Sequence, residues 1–144
     1  MLAVAFVTIR VSTAASDTSS EKDTIGFGVT NSTLIVSGKF LNSQGSGDWL
    51  SGTAKIVQVF KAPKGFNETN TVAVFWLMEK EPQHELVGTN TFLLFLRPAR
   101  GVPFTSYEDA TEQKHSFVPA SNENIRLLKS RLKDFAVESN EKTK

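Results

Sequence analysis

The chain has 144 residues, 40% hydrophobic and 22% charged, with a formal net charge of +1 and no cysteine. That length makes one domain with room for a real core, and eleven Phe with two Trp supply apolar surface that a disordered chain lacks. The near-neutral balance argues against electrostatic capture of nucleic acid, and the missing thiols exclude disulfides, thiolate zinc sites and thiol catalysis.

In chain order, Leu2–Ile9 (LAVAFVTI) form an apolar run followed by Arg10-Val11 and the small residues Ser12-Thr13-Ala14-Ala15. The pattern predicts a secretory signal over residues 1–15, cleaved near Ala14 or Ala15, where small residues stand at the last and third-last positions. No basic residue precedes the run, and a buried first strand is the alternative reading. Cleavage removes Arg10 and leaves the mature domain electrically neutral. No apolar run approaches the ~20 residues that a membrane-spanning helix needs, so no membrane span is expected. The triplets Asn31-Ser32-Thr33 and Asn67-Glu68-Thr69 make Asn31 and Asn67 candidate N-glycosylation sites, in keeping with a secreted chain.

Residues 16–24 read as a flexible polar leader. Ile25, Phe27 and Val29 then alternate with Gly26, Gly28 and Thr30, the pattern of a short edge strand. Gly26-Phe27-Gly28 has no third glycine or Lys-Ser/Thr at phosphate-loop spacing, so it predicts no nucleotide site. Four β-rich runs follow, separated by turn-forming stretches. Thr33–Leu41 places Leu34, Val36 and Phe40 on one face, and Asn42–Asp48 is a loop. Gly52–Lys61 sets Ile56 and Phe60 opposite Val57 and Val59, and Ala62–Asn70 makes a turn and a longer loop. Thr71–Met78 and Thr91–Leu96 are apolar on both faces, which predicts strands covered on both sides. Glu79–Asn90 between them is a charged hairpin loop. A fifth strand is expected around Lys114–Val118.

The period then changes. Ser121 or Asn122 caps a helix whose first turn carries Glu123. Ile125, Leu128, Leu132 and Phe135, with Leu127 beside them, make an apolar stripe of about three and a half turns. Arg126, Lys129 and Lys133 occupy a separate face, and residues 138–144 read as a polar tail. The expected fold is therefore mainly β: a five-stranded OB-type barrel over residues 25–137, closed by a C-terminal amphipathic α-helix.

Chemistry is sparse. His84 and His115 lie in different segments without a metal-ligand spacing, so neither a metal nor another cofactor is expected. Glu79, Glu81 and Glu85 share one loop, and Glu108, Asp109 and Glu112 another. A small hydrolase built on such a pair would require a cleft that gathers two carboxylates. No serine sits in a nucleophile elbow, and the chain reads as a non-enzyme. An intracellular OB fold that binds single-stranded nucleic acid is the alternative function, because exposed aromatics on such barrels stack on bases. Here Phe75, Trp76, Phe92 and Phe95 lie inside apolar runs and read as core. Trp49 is the one aromatic expected at the surface, and Lys55, Lys61 and Lys64 are the candidate basic strip. Nucleic acid is not the expected partner.

Four segments carry a family resemblance: LIVSGKF (Leu34–Phe40), TAKIVQVFKAPKG (Thr53–Gly65), TFLLFLRPA (Thr91–Ala99) and NENIRLLKSRL (Asn122–Leu132). Together they resemble the netrin-like, tissue-inhibitor-of-metalloproteinase-like OB barrels. Within these they are most similar to the N-terminal domain of agrin and the N-terminal segment of some neuregulins. Val36, Gly38 and Phe40, the Val57–Lys61 stretch with Lys64-Gly65, and Phe92, Phe95, Leu96 and Pro98 are the matching positions. The chain departs from the pattern in having no cysteine. The inhibitors' N-terminal cysteine, which enters a metalloprotease site, has no counterpart here. The resemblance implies a secreted extracellular-matrix module that binds a protein, such as a laminin-like coiled coil, through barrel and helix surface. On the helix, Arg126, Lys129 and Lys133 are the candidate partner-binding residues.

Overall fold

The computed structural model describes residues 21–67, 70–77, 86–99, 106–111 and 117–142. The expected signal over residues 1–15 and the start of the leader lie outside the described residues. So do His84, His115, Glu79, Glu81, Glu85 and Glu112.

Residues 21–31 are helical (α1), where the sequence reading has a flexible leader to residue 24 and then a strand through Ile25, Phe27 and Val29. Ile25 and Val29, four apart, fall on one side of the helix and are both buried. The alternation with glycine imitates a strand, but burial follows the helical period. Gly28 belongs to the same contact: a Cβ there would stand 2.3 Å from the ring of Phe95, so only glycine lets α1 lie this close to the sheet.

The strands are β1 (Leu34–Phe40), β2 (Gln44–Ser46), β3 (Trp49–Lys61), β4 (Thr71–Leu77), β5 (Phe92–Pro98), β6 (Ser106–Asp109) and β7 (Val118–Pro119), followed by α2 (Asn122–Lys142). Hydrogen bonding runs β1-β3-β4-β6-β5, and β5 pairs with β1 again, so five strands close into an OB-type barrel. Every contact around the ring is antiparallel except the parallel pair β4–β6. The barrel's fifth strand is thus Ser106–Asp109; of the expected segment around Lys114–Val118, residues 114–116 lie outside the described residues and Val118 falls in the short β7, which pairs with β5. The expected strand carries the apolar residues; the actual one, SYED, is polar and held by backbone pairing. Gln44–Ser46, expected as loop, folds back on β3 as a hairpin arm.

Closure depends on β3, whose first half pairs with β4 and whose second half pairs with β1. Register breaks between Ile35 and Val36 and between Ser37 and Gly38 leave Phe60 and Val57 as extra residues on β3, the signature of bulges that bend a strand. The predicted alternation in this run fails for that reason. Ile56 and Val59 both pack against the interior, Phe60 joins the outer layer, and Val57 is exposed.

Two apolar layers result. The interior holds Leu34, Val36, Ala54, Val74 and Leu94 around an aromatic group in which Trp76 meets Phe117 edge-on at 5.5 Å and Phe40 at 5.2 Å. The second layer lies outside the barrel, where Ile35 of β1 and Leu93 and Phe95 of β5 meet Ile25 and Val29 of α1 and Leu128 of α2. The stripe of α2 therefore does not plug the barrel; it covers the outer wall, and Leu86 and Phe117 complete the interior. Ser121 is the cap, its Oγ accepting the Asn124 N–H at 3.2 Å. Helical residues continue to Lys142, through most of the stretch expected as a polar tail.

Candidate functional site

The helices cover only part of the barrel. On β5 every residue from Phe92 to Leu96 is buried, as both-sided coverage predicts. On β4 only Val72, Val74 and Trp76 are buried, while Ala73, Phe75 and Leu77 on the other side are half-buried. The β4 expectation is thus corrected: an apolar composition on both faces here marks a wall left open to solvent.

Register assembles what stands on that wall. A tight turn at Gly47-Asp48, with Gly47 at φ 64°, joins β2 to β3 and presents Trp49 at the strand's start, 42% exposed. Trp49 pairs with Leu77 and Ser51 with Phe75, so indole, phenyl and isobutyl groups are cross-strand or diagonal neighbours. The parallel contact sets Glu108 beside Phe75, and β5 sets Arg97 beside Glu108. Arg97 Nε donates to Glu108 Oε1 at 3.0 Å. From α1, Phe27 and Asn31 arrive four residues apart on one side, and Asn31 Nδ2 donates to the Phe27 carbonyl at 2.8 Å.

Apart from Ser51 and Phe75, these groups line a groove of about 430 Å³ together with Trp76, Asp109, Ala110 and Thr111. The Thr111 hydroxyl lies 2.9 Å from both Asp109 carboxylate oxygens. The groove thus gathers two carboxylates: Glu108 accepts from Arg97 across the β5–β6 pair, and Asp109 accepts from Thr111 two residues on. The Trp76 indole N–H is buried and has no acceptor among the described residues. Among the described residues no group of three or more His, Asp or Glu could hold a metal, and no helix is long and apolar enough to cross a membrane.

The other predicted site residues are dispersed. Arg126, Lys129 and Lys133 are exposed on α2, and none lines the groove; Arg126 lines a separate cleft with Glu21 and Lys22 of α1. Asn67 is exposed after the turn that follows β3, whereas Asn31 stands in the groove wall. The basic strip of Lys55, Lys61 and Lys64 does not form. Lys61 Nζ instead donates to the carbonyls of Val29 at 3.2 Å and Ser32 at 2.7 Å, with the Phe135 ring centroid 4.6 Å away. It closes the C-terminal end of α1, where orphan carbonyls attract a cation, and burial pushes its pKa below the ordinary lysine value.

Trp49 was the one site residue legible from its flanking polar loop. Phe27 and Asn31 were hidden by the strand-like glycine pattern; the i, i+4 spacing of Ile25 and Val29 is the signal that exposes them. Phe75 and Leu77 read as core in the sequence, which does not say which wall a helix will cover. No protein-family model matches this chain, and no curated protein matches it at a significant level.

Proposed function

We propose that this chain is a secreted, non-enzymatic binding module that docks an extracellular protein on the open barrel wall around Trp49. The observation that carries the reading is the contrast between the two walls. One is sealed by α1 and α2, while the other keeps Trp49 at 42% exposure beside half-buried Phe75 and Leu77. Large aromatic side chains left partly in water on a rigid strand are the usual anchors of binding surfaces. The netrin-like and agrin-like resemblance makes a laminin-like coiled coil of the extracellular matrix the first partner to test. The basic face of Arg126, Lys129 and Lys133 is a second, separate candidate surface. Single-stranded nucleic acid is disfavoured, because among the described residues the groove offers one cation, Arg97, against Glu108 and Asp109.

Two measurements test the reading. Protein recovered from the medium of expressing eukaryotic cells should begin near Ala15 or Ser16. It should carry one glycan, on Asn67, since a glycan on Asn31 would stand in the groove; an intact Met1 on protein retained in the cytosol contradicts secretion. In a solid-phase assay on immobilised laminin, Trp49→Ala should abolish capture. Capture that survives Trp49→Ala but fails on charge reversal of Arg126, Lys129 and Lys133 moves the interface to α2.

A further inference from the structure

We infer that α2 carries a dimer contact: two copies of this chain pair their C-terminal helices antiparallel, the acidic end of each lying on the basic face of the other. This goes beyond the docking reading, because it uses the side of α2 turned away from the barrel and leaves the Trp49 wall free. One observation is an overhang. Leu128, Leu132 and Phe135 pack α2 onto the outer layer, but every residue from Ala136 to Glu141 is exposed, Val137 at 52%. The helix nevertheless continues to Lys142. Turns this few hold poorly without a packed face, and the barrel supplies none to them.

The other observation is the layout of charge. Exposed Arg126, Lys129 and Lys133 come first along α2, and exposed Asp134, Glu138 and Glu141 follow. Within a single helix this order costs stability. Lys129 with Lys133, and Asp134 with Glu138, set like charges four residues apart, where side chains are neighbours. An antiparallel second copy reverses the sign. With a two-fold axis beside Lys133 and Asp134, Arg126 meets Glu141 of the other copy, Lys129 meets Glu138 and Lys133 meets Asp134. A parallel pair sets basic against basic, so charge also fixes the direction. Arg126, Ser130, Lys133 and Val137 recur at spacings of four, three and four, the rhythm of a helix–helix seam, opposite the stripe that meets the barrel. In the same alignment the small Ser130 faces Val137. The contact is isologous and closes at two copies. One helix pair is smaller than a standard interface and its seam is largely polar, so the dimer is weak and salt-sensitive. It places two Trp49 walls on one particle, which strengthens capture on a repetitive matrix without any new contact.

Sedimentation equilibrium of the purified protein over a concentration series tests the contact. The expected result is a reversible monomer–dimer equilibrium at about 0.05 M salt that weakens at least about tenfold at about 0.5 M. Reversing the acidic end (Glu138→Lys with Glu141→Lys) or the basic face (Arg126→Glu with Lys129→Glu) should each weaken it by a similar factor. Mixing the two variants should restore a dimer, and so should combining all four substitutions in one chain, a rescue that misfolding does not produce. A monomer at every concentration to about 0.1 mM, a dimer indifferent to both reversals, or reversals without rescue overturns the inference. A dimer that Trp49→Ala dissolves overturns it too, by placing the contact on the open wall. The docking reading is judged separately. Capture of the monomeric variants on laminin, weaker than wild type but still abolished by Trp49→Ala, upholds it whatever the sedimentation shows.

Discussion

Lys61 shows how one side chain ties three elements. Its ammonium donates to two carbonyls at the end of α1 while resting on Phe135 of α2, so β3, α1 and α2 meet at one charge. Replacing it with Met keeps the stem but uncaps α1, and chemical denaturation should show a loss of about 1 kcal/mol at neutral pH. Desolvation lowers its pKa in the folded state, so between that lowered value and 10.5 the unfolded chain binds the proton more readily. Wild-type stability should therefore rise with pH across that window, and the rise should be missing in Lys61→Met. Gly28 sets a steric limit at the same contact. A Gly28→Ala methyl would enter the Phe95 ring, and despite the better helix propensity of Ala the variant should lose about 1–3 kcal/mol by thermal or denaturant unfolding.

At the scale of elements, β4 and β5 are a matched pair that composition does not tell apart. TVAVFWL and FLLFLRP are both apolar on two faces, yet β5 is buried on both and β4 on one. Truncation separates them: Leu93→Ala, beneath the helices, should cost about 2–5 kcal/mol, whereas Leu77→Ala on the open wall should cost about 1 kcal/mol or less. Leu128→Ala should behave like Leu93→Ala, because both residues sit in the one outer layer. The helical stripe of Ile125, Leu128, Leu132 and Phe135 was legible because its period is long and unbroken. Helix α1 was not, because glycines at 26 and 28 mimic strand alternation over too few residues for the longer period to stand out. β6 was hidden for a different reason. Its polar SYED sequence owes its conformation to hydrogen bonds with β4 and β5, which are tertiary and leave no hydrophobic trace.

Across the whole molecule, the class of fold followed from strand runs ending in one amphipathic helix, and the barrel interior from the inward residues of β1, β4 and β5. The division of the barrel's outside into a sealed wall and an open one did not follow, since it depends on where two helices dock rather than on any local pattern. The candidate site inherits that division: Trp49 announced itself, but its companions are drawn from α1, β4, β5 and β6, far apart in sequence. A soluble paramagnetic relaxation agent read by NMR examines this asymmetry directly. Signals of Trp49, Ser51, Phe75 and Leu77 should broaden strongly while those of Ile35, Leu93, Phe95 and Leu128 persist. Equal protection of the two sets, or broadening of the second, would contradict it.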